Sequence, residues 1–348
     1  MRKKLLILVI IAVVIAAGLI LHFEVFKKKP TVGILISTTE NYPDARAGVF
    51  LALKNLPNDV DFVNVDYADG DIRDALNRAV KSGIRYFAGL DTSSEVAEIE
   101  DLLSKSRSIL VESQITNLQV VNDSKYVYTI SPTDDIQAQA IAAYIEHKGY
   151  KTIAIVKSNS NAKYVDYLSS EIVKNLKDKD VETKILPISR LSSIQKAPNA
   201  FVLITSAEEA VNVMREMESK FGKIPFIGSD WSFRGNTLMR NIEVSDGMIT
   251  VGFANLHTVS STFENDMADM DLQVTSPSIL AHDAVIVAYD LAKNKVSPDR
   301  VHKYLENHIF FGERGTFSFK GKSVNSPVYF YEVSPLNLKL VWTFGEER

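Results

Sequence analysis

The stretch of this chain best suited to chemistry is GLDTSSEVAEI at 89–99, where an apolar segment ending at Leu90 gives way to Asp91, Thr92, Ser93 and Ser94. After these, Val96, Ile99, Leu102 and Leu103 recur at helical spacing. A hydroxyl just before a helix, with Glu95 and Glu98 in its first turns, suits an N-cap. The first amides of such a helix have no internal partner, so the loop can hold an anion such as a carboxylate. Nucleophilic catalysis asks for more: a nucleophile, a base and a group to orient it. The six histidines are scattered, and His282-Asp283, the one adjacent pair of histidine and acid, would point to different faces of a helix. There is no GxxxxGK[ST] phosphate loop and no HExxH, and DYADGDIRD at 66–74 has the wrong offsets for a calcium loop. With no cysteine, thiolate metal sites and disulfides are excluded. The expectation is a binding loop that needs no catalytic set, metal or cofactor.

The elements that must position this loop alternate strand and helix. TVGILIS at 31–37 is an apolar run fit for a buried parallel strand, and a helix is predicted over 45–54. Strand 61–66, helix 72–81 ended by Gly83, strand 85–90 and strand 108–111 follow. A second series begins after 126–130: helix 134–148, strand 152–157, helix 162–176, strands 181–186 and 200–205, helix 207–221 and strand 225–228. This alternation indicates an α/β fold of two doubly wound parallel-sheet lobes, with a ligand cleft between them. Beyond Gly247 the reading is a strand at 248–253, a polar stretch at 262–270, helices at 279–293 and 299–307, and antiparallel β over 316–344.

The first 29 residues read differently. Residues 5–21 are uninterruptedly apolar, with Arg2-Lys3-Lys4 before them and Lys27-Lys28-Lys29 after. At about 1.5 Å rise per residue this run is just long enough to cross a hydrocarbon core of about 30 Å. The expectation is one N-terminal transmembrane helix, an uncleaved signal anchor, because no small-x-small cleavage pattern follows the run; cleavage would leave the remainder secreted. Six of the 39 basic residues and one of the 43 acids lie in this segment, so the rest of the chain carries a net charge of −9. An acidic body argues against nucleic acid as a partner.

The segments TVGILIS, AGLDTSSEVAEI (88–99), ITN (115–117), YTISPTDDIQAQAIAAYI (128–145), KTIAIV (151–156), PFIGSD (225–230), AHDAVIVAYDLA (281–292) and FGERGTFSFKGKSV (311–324) resemble, in order and spacing, the type I periplasmic solute-binding proteins of ABC importers, the leucine/isoleucine/valine-binding-protein family. The resemblance covers essentially everything after Lys29. It implies that Ser93 and Thr116 hold a ligand carboxylate in the first lobe with Gln114 beside them. It implies also that Tyr164 and Asp230 close on the ligand from the second lobe, Asp230 pairing with an ammonium. Glu112, Asp91 and Asp283 are weaker candidates. The chain departs from the family where Tyr-Gly becomes Tyr164-Val165, and where an aromatic after strand 200–205 is replaced by Ser206-Ala207.

The expected organisation is an anchor at 1–29, lobe 1 from 30–131 and 257–325, and lobe 2 from 132–256 and 326–348, with hinges near Ser131, Gly252 and Asn325. The expected function is an extracytoplasmic solute-binding protein, held at the cell membrane, that captures an amino acid or similar polar solute and delivers it to an ABC transporter permease. The alternative is a membrane-anchored ligand-sensing ectodomain that signals to a partner without transport. An enzyme on the same fold is disfavoured by the lack of any catalytic constellation.

Overall fold

The computed structural model describes residues 29–37, 42–68, 71–90 and 92–345. The expected transmembrane segment at 5–21 and the candidate Asp91 lie outside them. Among the described residues no helix is long and apolar enough to cross a membrane.

Sixteen strands are described. β1 (Thr31–Ser37), β2 (Asp61–Tyr67), β3 (Tyr86–Gly89), β4 (Ile109–Glu112) and β5 (Val127–Thr129) are parallel and run β2-β1-β3-β4-β5 across the first sheet. β6 (Thr152–Lys157), β7 (Glu182–Pro187), β8 (Ala200–Ile204), β9 (Phe226–Gly228) and β10 (Ile249–Gly252) repeat that order as β7-β6-β8-β9-β10 in the second. The order reverses beside β1 and again beside β6, and in doubly wound sheets a crevice opens at that switch, outside the carboxyl ends of the strands.

β11 (Phe310–Gly312) and β12 (Gly315–Phe317) form a separate hairpin. The tail then divides between the lobes. β13 (Phe319–Lys320) and β14 (Ser323–Val324) extend the first sheet beside β5, whereas β15 (Val328–Val333) and β16 (Leu338–Phe344) extend the second beside β10. The chain therefore passes between the lobes three times, after β5, after β10 and after β14. These passages are pinned: the Ser131 hydroxyl donates to the Ser113 carbonyl at 2.9 Å, the Phe253 amide to the Ser276 hydroxyl at 2.8 Å, and Tyr331 to the Ala254 carbonyl at 2.9 Å. Arg314 adds a further tie, donating to the Ile130 carbonyl at 2.8 Å while pairing with Asp283 at 3.0 Å. Both members of that pair are buried. Asp283 thus serves the framework beside the crossing and does not line the cleft.

Continuous apolar runs become central strands for the reason the sequence suggests: β1 has helices on both faces, and Val32, Ile34 and Leu35 have no exposed surface. Among the helices that depart from expectation, two show the reason. The helix expected over 279–293 begins a turn earlier, at Ser276, because Thr275 caps it by accepting from the Ser278 amide and Pro277 fits its first turn. The polar stretch at 262–270 is the helix Ser261–Asp269, capped by Ser260, whose Phe263 and Met267 are one turn apart and buried. Its inward stripe is only two residues wide, too narrow to stand out among acids.

Candidate functional site

The two sheets point their carboxyl ends at one another, and the loops there meet in a cleft lined by Tyr42, Leu90, Thr92 and Gln114 from lobe 1 and by Asn161, Tyr164, Asp230, Trp231 and Arg234 from lobe 2. The lobes are shut. Ser94 donates to Asn161 at 3.2 Å and Asn117 to the Lys163 carbonyl at 2.5 Å, and the cavity that remains is ≈ 20 Å³. That is room for about one water molecule.

On the lobe 1 side, the turn after β3 runs into the helix Ser93–Ser106. Its cap is Thr92: the Thr92 hydroxyl accepts from the Glu95 amide at 3.3 Å, and Glu95 accepts from the Thr92 amide at 2.8 Å. Ser93 is therefore the first helical residue; its hydroxyl is buried behind the wall and does not line the cavity. Thr116 is likewise fully buried and off the cavity surface, and its hydroxyl, like that of Ser93, has no hydrogen-bond partner. Gln114, after β4, reaches into the cleft, and its Oε1 accepts from Arg234 at 3.2 Å.

On the lobe 2 side, Asn161 sits at φ 50° where the loop after β6 turns into the helix Ala162–Leu176, and Tyr164 lies in that helix's first turn. Tyr164 donates to Asp230 Oδ1 at 2.5 Å and meets the Trp231 ring edge to face. Gln137, from the helix Asp134–His147, clamps Asp230 twice, donating to its carboxylate at 2.8 Å and accepting from its amide at 3.0 Å. The same Gln137 amide group reaches Asp134 Oδ1 at 3.3 Å, so two carboxyls share one donor.

Burial dominates the electrostatics. It raises the pKa of Asp230, against the pull of the Tyr164 and Gln137 hydrogen bonds and of the Arg234 charge. Asp134 is pushed well above the ordinary carboxylate range by burial, and then by the neighbouring Asp230 charge. Tyr164 is also raised, first by burial and then by the same carboxylate. The arrangement is a neutral acid, a tyrosine that keeps its proton and one hydrogen-bonded aspartate beside a guanidinium. Among the described residues no group of acids and histidines could hold a metal ion. The cleft's lining offers hydrogen-bond donors and acceptors, aromatic faces and one charge of each sign, groups suited to holding a small polar molecule.

Of the five residues singled out in the sequence, Gln114, Tyr164 and Asp230 come together on the cavity wall, whereas Ser93 and Thr116 stand just behind it. Tyr42, Leu90, Thr92, Asn161, Trp231 and Arg234 complete the lining. The N-cap motif could have pointed to Thr92, but no local pattern marks Arg234, whose partners come from the other lobe. A larger depression of ≈ 470 Å³ opens at the amino ends of β6, β9 and β10, lined by Lys148, Lys223 and Glu332 among others. It lies at the end of the sheet away from the switch point, so the interlobe cleft is the stronger site.

The doubled sheet order, the three crossings and a cleft at the carboxyl ends define the fold of the type I periplasmic binding proteins. Residues 27–300 match the profile of the receptor family ligand binding region, and the chain belongs to that family. Among solved structures it is similar to a leucine binding protein from Thermotoga maritima (16% identity, TM-score 0.82, covering 90% of this chain and 98% of that one). It is similar also to an ABC-transporter solute binding protein from Rhodopseudomonas palustris in complex with p-hydroxybenzoic acid (16%, 0.77, 91% and 97%). A third is a branched-chain amino acid transporter substrate binding protein from Streptococcus pneumoniae in complex with isoleucine (16%, 0.74, 90% and 99%). No curated protein matches the chain. Family and fold are those of ligand-binding proteins.

Proposed function

We propose that this chain is an extracytoplasmic solute-binding protein, tethered to the cell membrane by residues 5–21, that captures a small polar solute, an α-amino acid first, between its lobes and delivers it to an ABC transporter permease. One observation carries the reading: a half-buried aspartate, Asp230, held in position by Tyr164 and Gln137 at the mouth of a cleft whose opposite wall belongs to the other lobe. A carboxylate so placed favours a cationic group such as an ammonium, and contacts made only when the lobes are shut would shift the population toward closure. The chain's passages near Ser131, Gly252 and Asn325 are the hinges in this reading, and Ser93 and Thr116 support the wall from behind. That the solved relatives include proteins holding isoleucine and p-hydroxybenzoic acid supports a small solute with an acidic group. A sensing ectodomain without transport is the second reading, favoured by the match to a receptor ligand-binding family.

The test is a thermal-shift screen of the full-length chain in detergent against amino acids, peptides, sugars and aromatic acids, since a ligand specific to the folded state raises its Tm. An amino acid is expected to do so, and calorimetry on Asp230→Ala should then show binding weakened by about 2–4 kcal/mol. Unchanged affinity would remove Asp230 from the site. Uptake of the radiolabelled ligand, lost on deletion of the gene, separates transport from sensing.

A further inference from the structure

Arg234 is the least explained group in the cleft. It is 6% exposed, yet among the described residues no carboxylate oxygen comes within the 4.0 Å of an ion pair. Its Nη1 donates to the Phe233 carbonyl at 3.3 Å and its Nη2 to Gln114 at 3.2 Å, while Nε is buried with no partner. The guanidinium lies over the Tyr42 ring, 4.5 Å from its centre. Asp230 is near enough to feel its charge but gives Oδ1 to Tyr164 and Gln137. A structural arginine taken out of water normally acquires an anion, because a buried unpaired charge is costly. This one lines the cavity, braced by an aromatic face and two neutral acceptors, and its buried Nε has no partner.

We propose that Arg234 is the anion seat of the cleft, and that the ligand is therefore a molecule whose carboxylate docks on this guanidinium. This rests on the solute-binding reading above and deepens it. Ser93 and Thr116 are off the lining of the shut cavity, their hydroxyls buried without a hydrogen-bond partner, whereas Arg234 of lobe 2 reaches it. Guanidinium and carboxylate pair through two parallel N–H bonds, and the pairing discriminates against a neutral amide of the same shape. The shut cavity has no room for such a ligand. Entry requires the lobes to part, which frees Arg234 from Gln114 and Tyr42; on reclosure the carboxylate takes the place of Gln114 as acceptor. With Asp230 beside it, lobe 2 then presents both charges that an α-amino acid complements.

The experiment compares matched pairs by calorimetry and thermal shift on the full-length chain in detergent: leucine with leucinamide, glutamate with glutamine, benzoate with benzamide, and a neutral sugar, glucose. At least one carboxylate should bind tenfold or more tightly than its amide. Arg234→Gln should lose that preference while keeping the weaker amide affinity, and Arg234→Lys should retain part of it. Circular dichroism melts of both variants report that they fold, and the lysine variant keeps the comparison if the glutamine variant does not. Equal binding of acid and amide, or a preference that survives Arg234→Gln, overturns the proposal. If glucose or an amide binds and no carboxylate does, Arg234 is not the seat while the solute-binding reading stands. If no compound of any class shifts the Tm, both fall.

Discussion

At the scale of single residues, the cleft is decided by which polar groups are buried and what they find there. Asp230 is satisfied, Arg234 keeps a buried Nε without a partner, and burial pushes the Asp134 pKa upward. The last point has a signed consequence. Because burial raises the Asp134 pKa above its ordinary 3.8, the folded chain keeps a proton that the unfolded chain releases as pH rises past that value. Its contribution to stability is whole below the unfolded value and is lost as pH rises through the folded one. Asp134→Asn, which cannot titrate, should therefore gain stability relative to the native chain as pH rises above about 4, by roughly 1.4 kcal/mol per pH interval of one for as long as the native carboxyl stays protonated in the fold. Asp230 is raised in the same direction and remains in the variant, so part of the slope persists. Parallel Tm-against-pH curves for the two proteins would show that Asp134 is ionised in the fold. Gln114, Tyr164 and Asp230 were legible in the sequence through the resemblance. Arg234 was not, since it acts through Gln114, 120 residues away, and through a ring on a third element.

At the scale of elements, local pattern and tertiary contact contribute differently. The alternation of strands and helices was readable because fully buried parallel strands are continuous apolar runs, and β1 shows it without a break. The pattern left the cap open among the hydroxyls of four polar residues in a row, and the geometry singles out Thr92. Contact between elements leaves its mark in a glycine. Gly48, in the helix Pro43–Asn55, faces the start of the helix Ser276–Lys293 so closely that a Cβ there would lie 2.0 Å from the Ser278 carbonyl oxygen. Beside it Thr275 donates to the buried Asp44 at 2.7 Å, tying the two helices at the same point. In an exposed helix, glycine to alanine would stabilise by about 1 kcal/mol. Here Gly48→Ala must push the helices apart, and a net loss of about 1–3 kcal/mol is expected. Urea unfolding should show a lower midpoint at unchanged slope; a raised midpoint would mean that the two backbones are not in contact.

At the scale of the whole molecule, three crossings join two lobes that touch across the cleft through a handful of polar contacts. Ser94 meets Asn161, Asn117 meets Lys163, and Arg234 meets Gln114 and Tyr42; apart from that cation-ring stack, these are hydrogen bonds. Each such bond is worth about 0.5–1.5 kcal/mol net, so loss of one or two of them should shift the balance between open and closed forms about tenfold even though an apolar cluster also runs through both lobes. Each lobe has its own sheet and an apolar cluster of its own, and a larger cluster runs through both. Ser94→Ala removes two contacts between lobes, the hydrogen bond to Asn161 and the one accepted from the Lys163 amide, from a residue outside the cavity lining, so it should act on the equilibrium between open and closed forms and leave the binding surface intact. The expected result is a larger radius of gyration by small-angle scattering in the absence of ligand, with the closed dimension restored at saturation. Apparent affinity should fall roughly two- to tenfold, the penalty of a less populated competent state. Superimposable scattering curves for variant and native chain, with equal affinity, would mean that the lobes are held by something other than these contacts, and that the hinges do not move on binding.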